Sequence, residues 1–255
     1  MMIELQNVIK SYKSSNSRKV INVVDDISLS MEAGKSYGLV GHNGAGKTTL
    51  LKCIATLSKQ TSGTILVNNK STLANPLDVR RDVAFLSASI NVDPFFSARY
   101  LFGLFGKMYG MDKQSINEKM DELFDHFNIG SFCDKRISEL STGMKQKVMI
   151  ALTLLHDASV YILDEPTNGL DILTSQKVIS YLRLLQRDGK TLIISSHIMS
   201  EIEKSCDELV MIVFGKVANF GTSESILKES GAGSLEDAYL SYYKKAVKEV
   251  EADEE

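Results

Sequence analysis

Short β-rich runs fill the first part of the chain, at residues 3–8, 20–29, 36–40 and 64–67, with apolar and polar positions alternating in the second of them. The pattern changes between about residues 94 and 132. There Leu101, Leu104, Phe105 and Met108 recur at helical spacing, and Ile116, Met120, Leu123, Phe124 and Phe127 form a second apolar stripe. This stretch reads as an inserted helical subdomain. Beyond it, apolar runs at 160–163 and 191–195 flank a helical pattern at 172–186, the rhythm of β-α-β units and a parallel sheet. Residues 207–217, with Gly215 and Lys216 in the middle, read as a closing hairpin, and 235–250 as an amphipathic helix before a frayed acidic end at residues 251–255. No internal repeat or low-complexity linker is visible. The expected organisation is one domain over 1–230, with the helical insertion at about 90–155, followed by a C-terminal helix and acidic tail over 231–255.

Composition narrows the classes. With 255 residues and 44% hydrophobic content the chain can bury a substantial core. Its 29 Lys and Arg nearly balance 32 Asp and Glu, a net charge of -3, so no nucleic-acid partner is expected. Cys53, Cys133 and Cys206 are far apart and odd in number, which fits a reducing compartment and the cytoplasm. The opening Met1, Met2, Ile3 and Glu4 carry no basic segment leading into an apolar run, so no secretory signal is expected. The longest apolar stretch, 148–163, is interrupted by His156 and Asp157 and is too short and polar to span a bilayer. Work at a membrane would need spanning helices from another chain.

The candidate chemistry starts at Gly41, His42, Asn43, Gly44, Ala45, Gly46, Lys47 and Thr48, which match G-x-x-x-x-G-K-[ST] between a predicted strand and a helix predicted over 49–56. In that setting the pattern is a P-loop. Its glycines let backbone N–H groups turn toward phosphate oxygens, and the helix N-terminus adds positive dipole. Lys47 would bridge the β- and γ-phosphates of ATP, and the Thr48 hydroxyl would hold Mg²⁺. Thr49 opens the helix beside them. Downstream, Val160, Tyr161, Ile162 and Leu163 end in Asp164 and Glu165. Parallel sheets present ligand sites at the carboxyl ends of strands, so Asp164 should share the crevice, holding Mg²⁺, while Glu165 orients and deprotonates the attacking water.

With these motifs in this order, the chain resembles the ABC ATPases over nearly its whole length. That resemblance implies an α/β P-loop NTPase core with a mixed or parallel sheet, an N-terminal antiparallel β subdomain and an inserted α-helical subdomain. Leu140, Ser141, Thr142, Gly143 and Met144 resemble the family's signature loop L-S-G-G-Q, departing at Thr142 and Met144, ahead of a helix expected near Lys145. Ser141 and Gly143 are retained, and the resemblance implies that they contact the ATP held by a second subunit, giving an ATP-dependent dimer. By itself Leu-Ser-Thr-Gly reads as a helix cap. Gly169, Leu170 and Asp171 resemble the D-loop, His197 the switch histidine at the γ-phosphate, and Tyr12 the aromatic on which adenine stacks.

One part of the family pattern is missing. The glutamine of the loop joining core and helical subdomain falls on Ala88, leaving Ser87, Ser89, Asn91 or a water as its replacement. This serine-rich loop, the Ser-Thr-Gly-Met signature and residues 235–240 look similar to ATPases of Nat-type sodium extrusion and related exporters.

The resemblance implies an ATP-hydrolysing subunit that powers a separate polytopic permease, in the direction of export, from the inner face of the cell membrane. Two other readings stand beside it. One is a soluble ABC ATPase of DNA repair, translation or cluster assembly; repair members carry long coiled coils and translation members two ATPase domains, and this chain has neither. A regulatory subunit with impaired hydrolysis accords with Ala88, but Lys47, Asp164, Glu165 and His197 argue against it.

Overall fold

Two sheets organise the chain, and the burial of their strands sets them apart. The N-terminal part contains β1 (Ile3–Lys13), β2 (Val20–Met31), β3 (Ser36–Val40), α1 (Lys47–Ile54), β4 (Ser62–Val67), β5 (Lys70–Ser71), α2 (Pro76–Asp82) and β6 (Val83–Leu86). A helical stretch follows, with α3 (Ala98–Met108), α4 (Lys113–Phe127) and α5 (Thr142–Leu155). The remainder holds β7 (Val160–Asp164), α6 (Ile172–Arg187), β8 (Thr191–Ser196), α7 (Met199–Ser205), the hairpin β9 (Glu208–Val213) and β10 (Lys216–Gly221), then α8 (Ser223–Ser230) and α9 (Leu235–Asp253). The computed structural model describes residues 1–13, 20–87 and 92–253, with side chains as far as residue 249. Ala88, Ser89 and Asn91, where the family glutamine is missing, lie outside the described residues, as do Glu254 and Glu255.

The first sheet is antiparallel, in the order β2-β1-β4-β5. The second runs β10-β9-β3-β8-β7-β6 and is parallel except for the edge strand β10. Its middle strands β3, β7 and β8 are buried at every position, as a sheet covered on both faces requires. Between the sheets, Leu50, Leu51 and Ile54 of α1 share one core with Ile3, Leu5, Val8, Ile65 and Ile193. The opposite face of the parallel sheet packs under α3, α5, α6 and α9 through residues such as Leu101, Val148, Tyr181 and Ala238.

Several expectations need correction. Helix α1 covers Lys47–Ile54 rather than 49–56, because Thr56 turns left-handed at φ 60° and ends the run. The helical stretch contains separate helices, parted by a turn at Gly110 with φ 77°. The stripe expected on α4 is its buried face in full. On α3 the buried residues are Ala98, Leu101, Phe102 and Gly106, while Leu104 is 37% and Met108 71% exposed. Two contacts rotate α3: the Phe102 ring meets Phe124 edge-on at 4.9 Å, and Gly106 lies so near Ile116 that a Cβ would stand 2.5 Å from its side chain. The short elements β5, α2 and β6 were not visible as periodic runs, since two to seven residues carry too little pattern. Helix α9 continues to Asp253, past the fraying expected at 251.

Candidate active site

Strands β3, β8 and β7 are neighbours, and their register sets Val40 opposite Ser196 and Ser195 opposite Asp164. Gly41, His197 and Glu165, which follow these strand ends, leave the sheet at one edge, where open parallel sheets hold ligands.

The loop after β3 demands glycine where the chain is crowded. A Cβ on Gly46, whose φ is 107°, would stand 2.3 Å from the Val23 carbonyl oxygen, and one on Gly41 would stand 2.6 Å from that of Ile212. Gly46 is also the N-cap of α1 and offers no side-chain acceptor, so the first-turn N–H groups remain available to an anion. Asn43, Gly44, Ala45, Gly46, Lys47, Thr48 and Thr49 line a cavity of about 150 Å³ together with Val23 and Glu165.

Lys47 is 6% exposed, and its Nζ donates to the carbonyls of Gly41 at 2.5 Å and His42 at 3.1 Å. Burial pushes its ammonium below the ordinary lysine range, while the nearby Glu165 and Asp164 carboxylates pull it back up. Asp164 is equally buried. Its Oδ2 accepts from Thr48 Oγ1 at 2.8 Å and its Oδ1 from Ser195 Oγ at 2.5 Å. Thr48 and Asp164 thus bring hard oxygen donors together beside a phosphate-shaped loop. That donor set fits Mg²⁺, which takes one or two protein oxygens and fills its sphere with phosphate and water.

Glu165 has φ 55°, a left-handed conformation that costs a glutamate of order 1 kcal/mol or more. Its N–H, bonded to the Ser195 carbonyl at 3.1 Å and hydroxyl at 3.2 Å, holds the twist in place. His197 Nδ1 lies 2.6 Å from Glu165 Oε2. A carboxylate only accepts, so Nδ1 carries the proton. Glu165 also lines a cleft of about 760 Å³ between α6 and α7, whose wall includes His197.

Other sequence candidates stand elsewhere. Ser141 is the N-cap of α5, its Oγ accepting from Met144 N–H at 3.3 Å, so Thr142, Gly143 and Met144 form the first helical turn. The helix starts three residues before Lys145 because the serine cap sets its beginning. None of these four residues lines the P-loop cavity. The α5 N-terminus faces the segment after Glu165: Gln146 Nε2 donates to the Pro166 carbonyl at 3.1 Å, and a Cβ on Gly143 would lie 3.6 Å from the Gly169 carbonyl. Asp171 caps α6, accepting from the Thr174 hydroxyl at 2.7 Å and N–H at 2.9 Å, and these bonds hold its carboxyl below the usual range. Tyr12 is exposed, pairs with Ile21 across β1 and β2, and carries the Lys10 ammonium 4.8 Å from its ring centroid. It lines neither cavity. The His42 ring points away from the P-loop cavity, toward α9. Ser195 was missed as a site residue. Its signal was a pair of serines closing an otherwise apolar strand.

A family model described as ABC transporter matches residues 24–168. The chain belongs to the ABC transporter family. It is an ATP-binding cassette, and thus an ATPase. This cassette is 34% identical over 232 residues to the ABC transporter ATP-binding protein NatA of Bacillus subtilis, an alignment covering 91% of this chain and 94% of that protein. It is 33% identical to the Nod factor export ATP-binding protein I of Burkholderia orbicola, across 92% of this chain and 75% of that one. Among solved structures, the ATP-binding subunit of an ABC transporter superposes with TM-score 0.87 at 27% identity, covering 95% of this chain and 99% of its own. A dimeric ATP-binding cassette in a post-hydrolysis state with ADP and Pi superposes with TM-score 0.80 at 25% identity, covering 87% and 98%.

Proposed function

We propose that this ABC cassette hydrolyses ATP at the edge of its parallel sheet to drive export through a permease supplied by another chain. The observation that carries the catalytic assignment is the Glu165–His197 pair, 2.6 Å apart, whose carboxylate opens on the cavity formed by the P-loop. Phosphate oxygens of ATP would lie against the P-loop N–H groups, with Lys47 keeping the Gly41 carbonyl and turning its other N–H donors to the β- and γ-phosphates. Thr48 and Asp164 would hold Mg²⁺, which when bound neutralises charge on the phosphates. Glu165 takes the proton of the attacking water, and His197, donating from Nδ1, keeps the carboxylate aimed. Ser141 and Gly143 would complete the site of a second ATPase subunit, with N–H groups of the α5 N-terminus toward its γ-phosphate. Their distance from the cavity of their own chain supports that reading, and so does the dimeric state of the similar cassette.

Among the described residues no helix is long and apolar enough to cross a membrane, so attachment to the inner face of the membrane is assigned to the permease. The name of the Nod factor export ATP-binding protein I favours an exporter, and that of NatA a transporter.

Glu165→Gln tests the catalytic part. ATP hydrolysis should fall by a factor of about 100 to 10,000, while MgATP binding and the ATP-dependent dimer persist. Hydrolysis at the wild-type rate would remove Glu165 from the role of base. Co-purification of a polytopic membrane protein from solubilised membranes tests the coupling, and recovery of the cassette without one counts against it.

A further inference from the structure

Helix α9 follows the last strand by a considerable length of chain, yet it returns to the P-loop. Its buried stripe of Leu235, Ala238 and Tyr239, extended by Tyr242, Tyr243 and Ala246, packs on the core beside β9. The Tyr239 hydroxyl accepts from the His42 N–H at 2.8 Å and donates to the Ile212 carbonyl at 3.3 Å. Burial pushes the Tyr239 phenol up, so the hydroxyl keeps its proton across the physiological range. The His42 ring is held by a contact of its Nδ1 with the Asn43 carbonyl oxygen at 2.7 Å and by packing, edge-on to Phe214 at 5.5 Å and to Tyr243 at 5.4 Å, and its Nε2 is buried with no hydrogen-bond partner among the described residues.

The Gly41–His42 peptide is therefore clamped at both ends. Its carbonyl accepts from Lys47 Nζ and its N–H donates to Tyr239. A peptide unit is planar, so fixing the N–H direction also fixes the direction of the carbonyl that receives Lys47.

We propose that Tyr239 is a positioning residue for the P-loop: its hydroxyl sets the Gly41–His42 peptide, and through it Lys47, so that ATP affinity depends on the docking of α9. The inference rests on the reading of Lys47 as the phosphate-binding lysine and adds a residue from a distant helix to it. Removing the hydroxyl strands the His42 N–H. In the empty protein the loop can shift and let water reach that group, whereas a loop curled around phosphates cannot. The penalty falls mainly on the bound state and is read in Kd.

The test compares Tyr239→Phe with Tyr242→Phe in the full chain, using MgATP as the probe. Both variants keep the ring and lose one hydroxyl of α9, but the Tyr242 hydroxyl accepts from Asn219 Nδ2 at 2.6 Å, away from the P-loop. Tyr239→Phe should raise Kd for MgATP roughly two- to tenfold, the effect of one hydrogen bond, and raise KM while kcat at saturating ATP is retained. Tyr242→Phe should lower the thermal midpoint and leave Kd at its wild-type value. Wild-type Kd in Tyr239→Phe, or an equal rise in Tyr242→Phe, overturns the proposal. Lys47→Ala, measured alongside, separates the two levels: tight ATP binding by that variant overturns the P-loop reading itself, whereas its loss with an unchanged Tyr239→Phe overturns only the role of Tyr239.

Discussion

Ser195 and Asp164 stand opposite each other on adjacent parallel strands, and the Ser195 hydroxyl donates to Asp164 Oδ1 at 2.5 Å. The same hydroxyl accepts from the Glu165 N–H at 3.2 Å. One buried side chain thereby orients the carboxylate assigned to Mg²⁺ and supports the strained backbone of the residue assigned as base.

Ser195→Ala should disturb both functions of that hydroxyl together. Among the described residues Asp164 keeps only the Thr48 bond, and the site loses about 1–3 kcal/mol of stability through unmet hydrogen bonding in a buried setting. Steady-state kinetics should show a lower kcat and a higher Mg²⁺ requirement, with a lowered thermal midpoint. Wild-type kinetics with only the midpoint changed would reduce Ser195 to a packing residue.

Lys47 supplies a pH dependence. Burial lowers its folded pKa below the ordinary 10.5, and phosphate binding requires the charged form. Affinity for MgATP is therefore complete below the folded pKa of Lys47 and declines as pH rises through it, sooner than for an exposed lysine. Calorimetric Kd values measured from neutrality into the alkaline range should show this. Lys47→Arg, always charged, should bind more weakly at neutrality but without the alkaline decline. The same decline in both proteins would assign it to another group.

The proposed dimer has a separate handle. Ile172 and Leu173, in the first turn of α6 beside Asp171, are 77% and 74% exposed. Large apolar side chains left this open are suited to cover by a second subunit. In the Glu165→Gln background, Ile172→Asp should abolish the proposed ATP-dependent dimer, with light scattering as the readout, while ATP binding by the monomer is retained. A dimer of unchanged strength would move the interface away from this turn.

Legibility in the sequence followed the range of the interaction. The P-loop was readable because Gly41, Gly46, Lys47 and Thr48 form one contiguous pattern leading into a helix, although the crowding that demands glycine at 41 and 46 comes from the distant carbonyls of Ile212 and Val23. The stripe on α4 was readable for the same reason, since 3.6-residue periodicity survives whatever packs against it. The stripe on α3 was readable only at Leu101 and the half-buried Phe105, because the rotation of that helix is decided by Gly106 meeting Ile116 and Phe102 meeting Phe124, contacts between separate helices.

The sequence by itself determined the two ends of the proposed chemistry: a glycine-rich turn ending in Lys47 and Thr48 after one strand, and a pair of carboxylates after another. Its strand pattern also implied that both would reach the same edge of a parallel sheet. Tertiary structure alone decided which side chains hold them there. Asp164 meets Ser195 across 31 residues of chain, Glu165 meets His197 across 32, and His42 meets Tyr239 across 197. Such pairs leave no periodic trace, because a hydroxyl or imidazole finds its partner only after sheet register and helix docking have fixed both backbones.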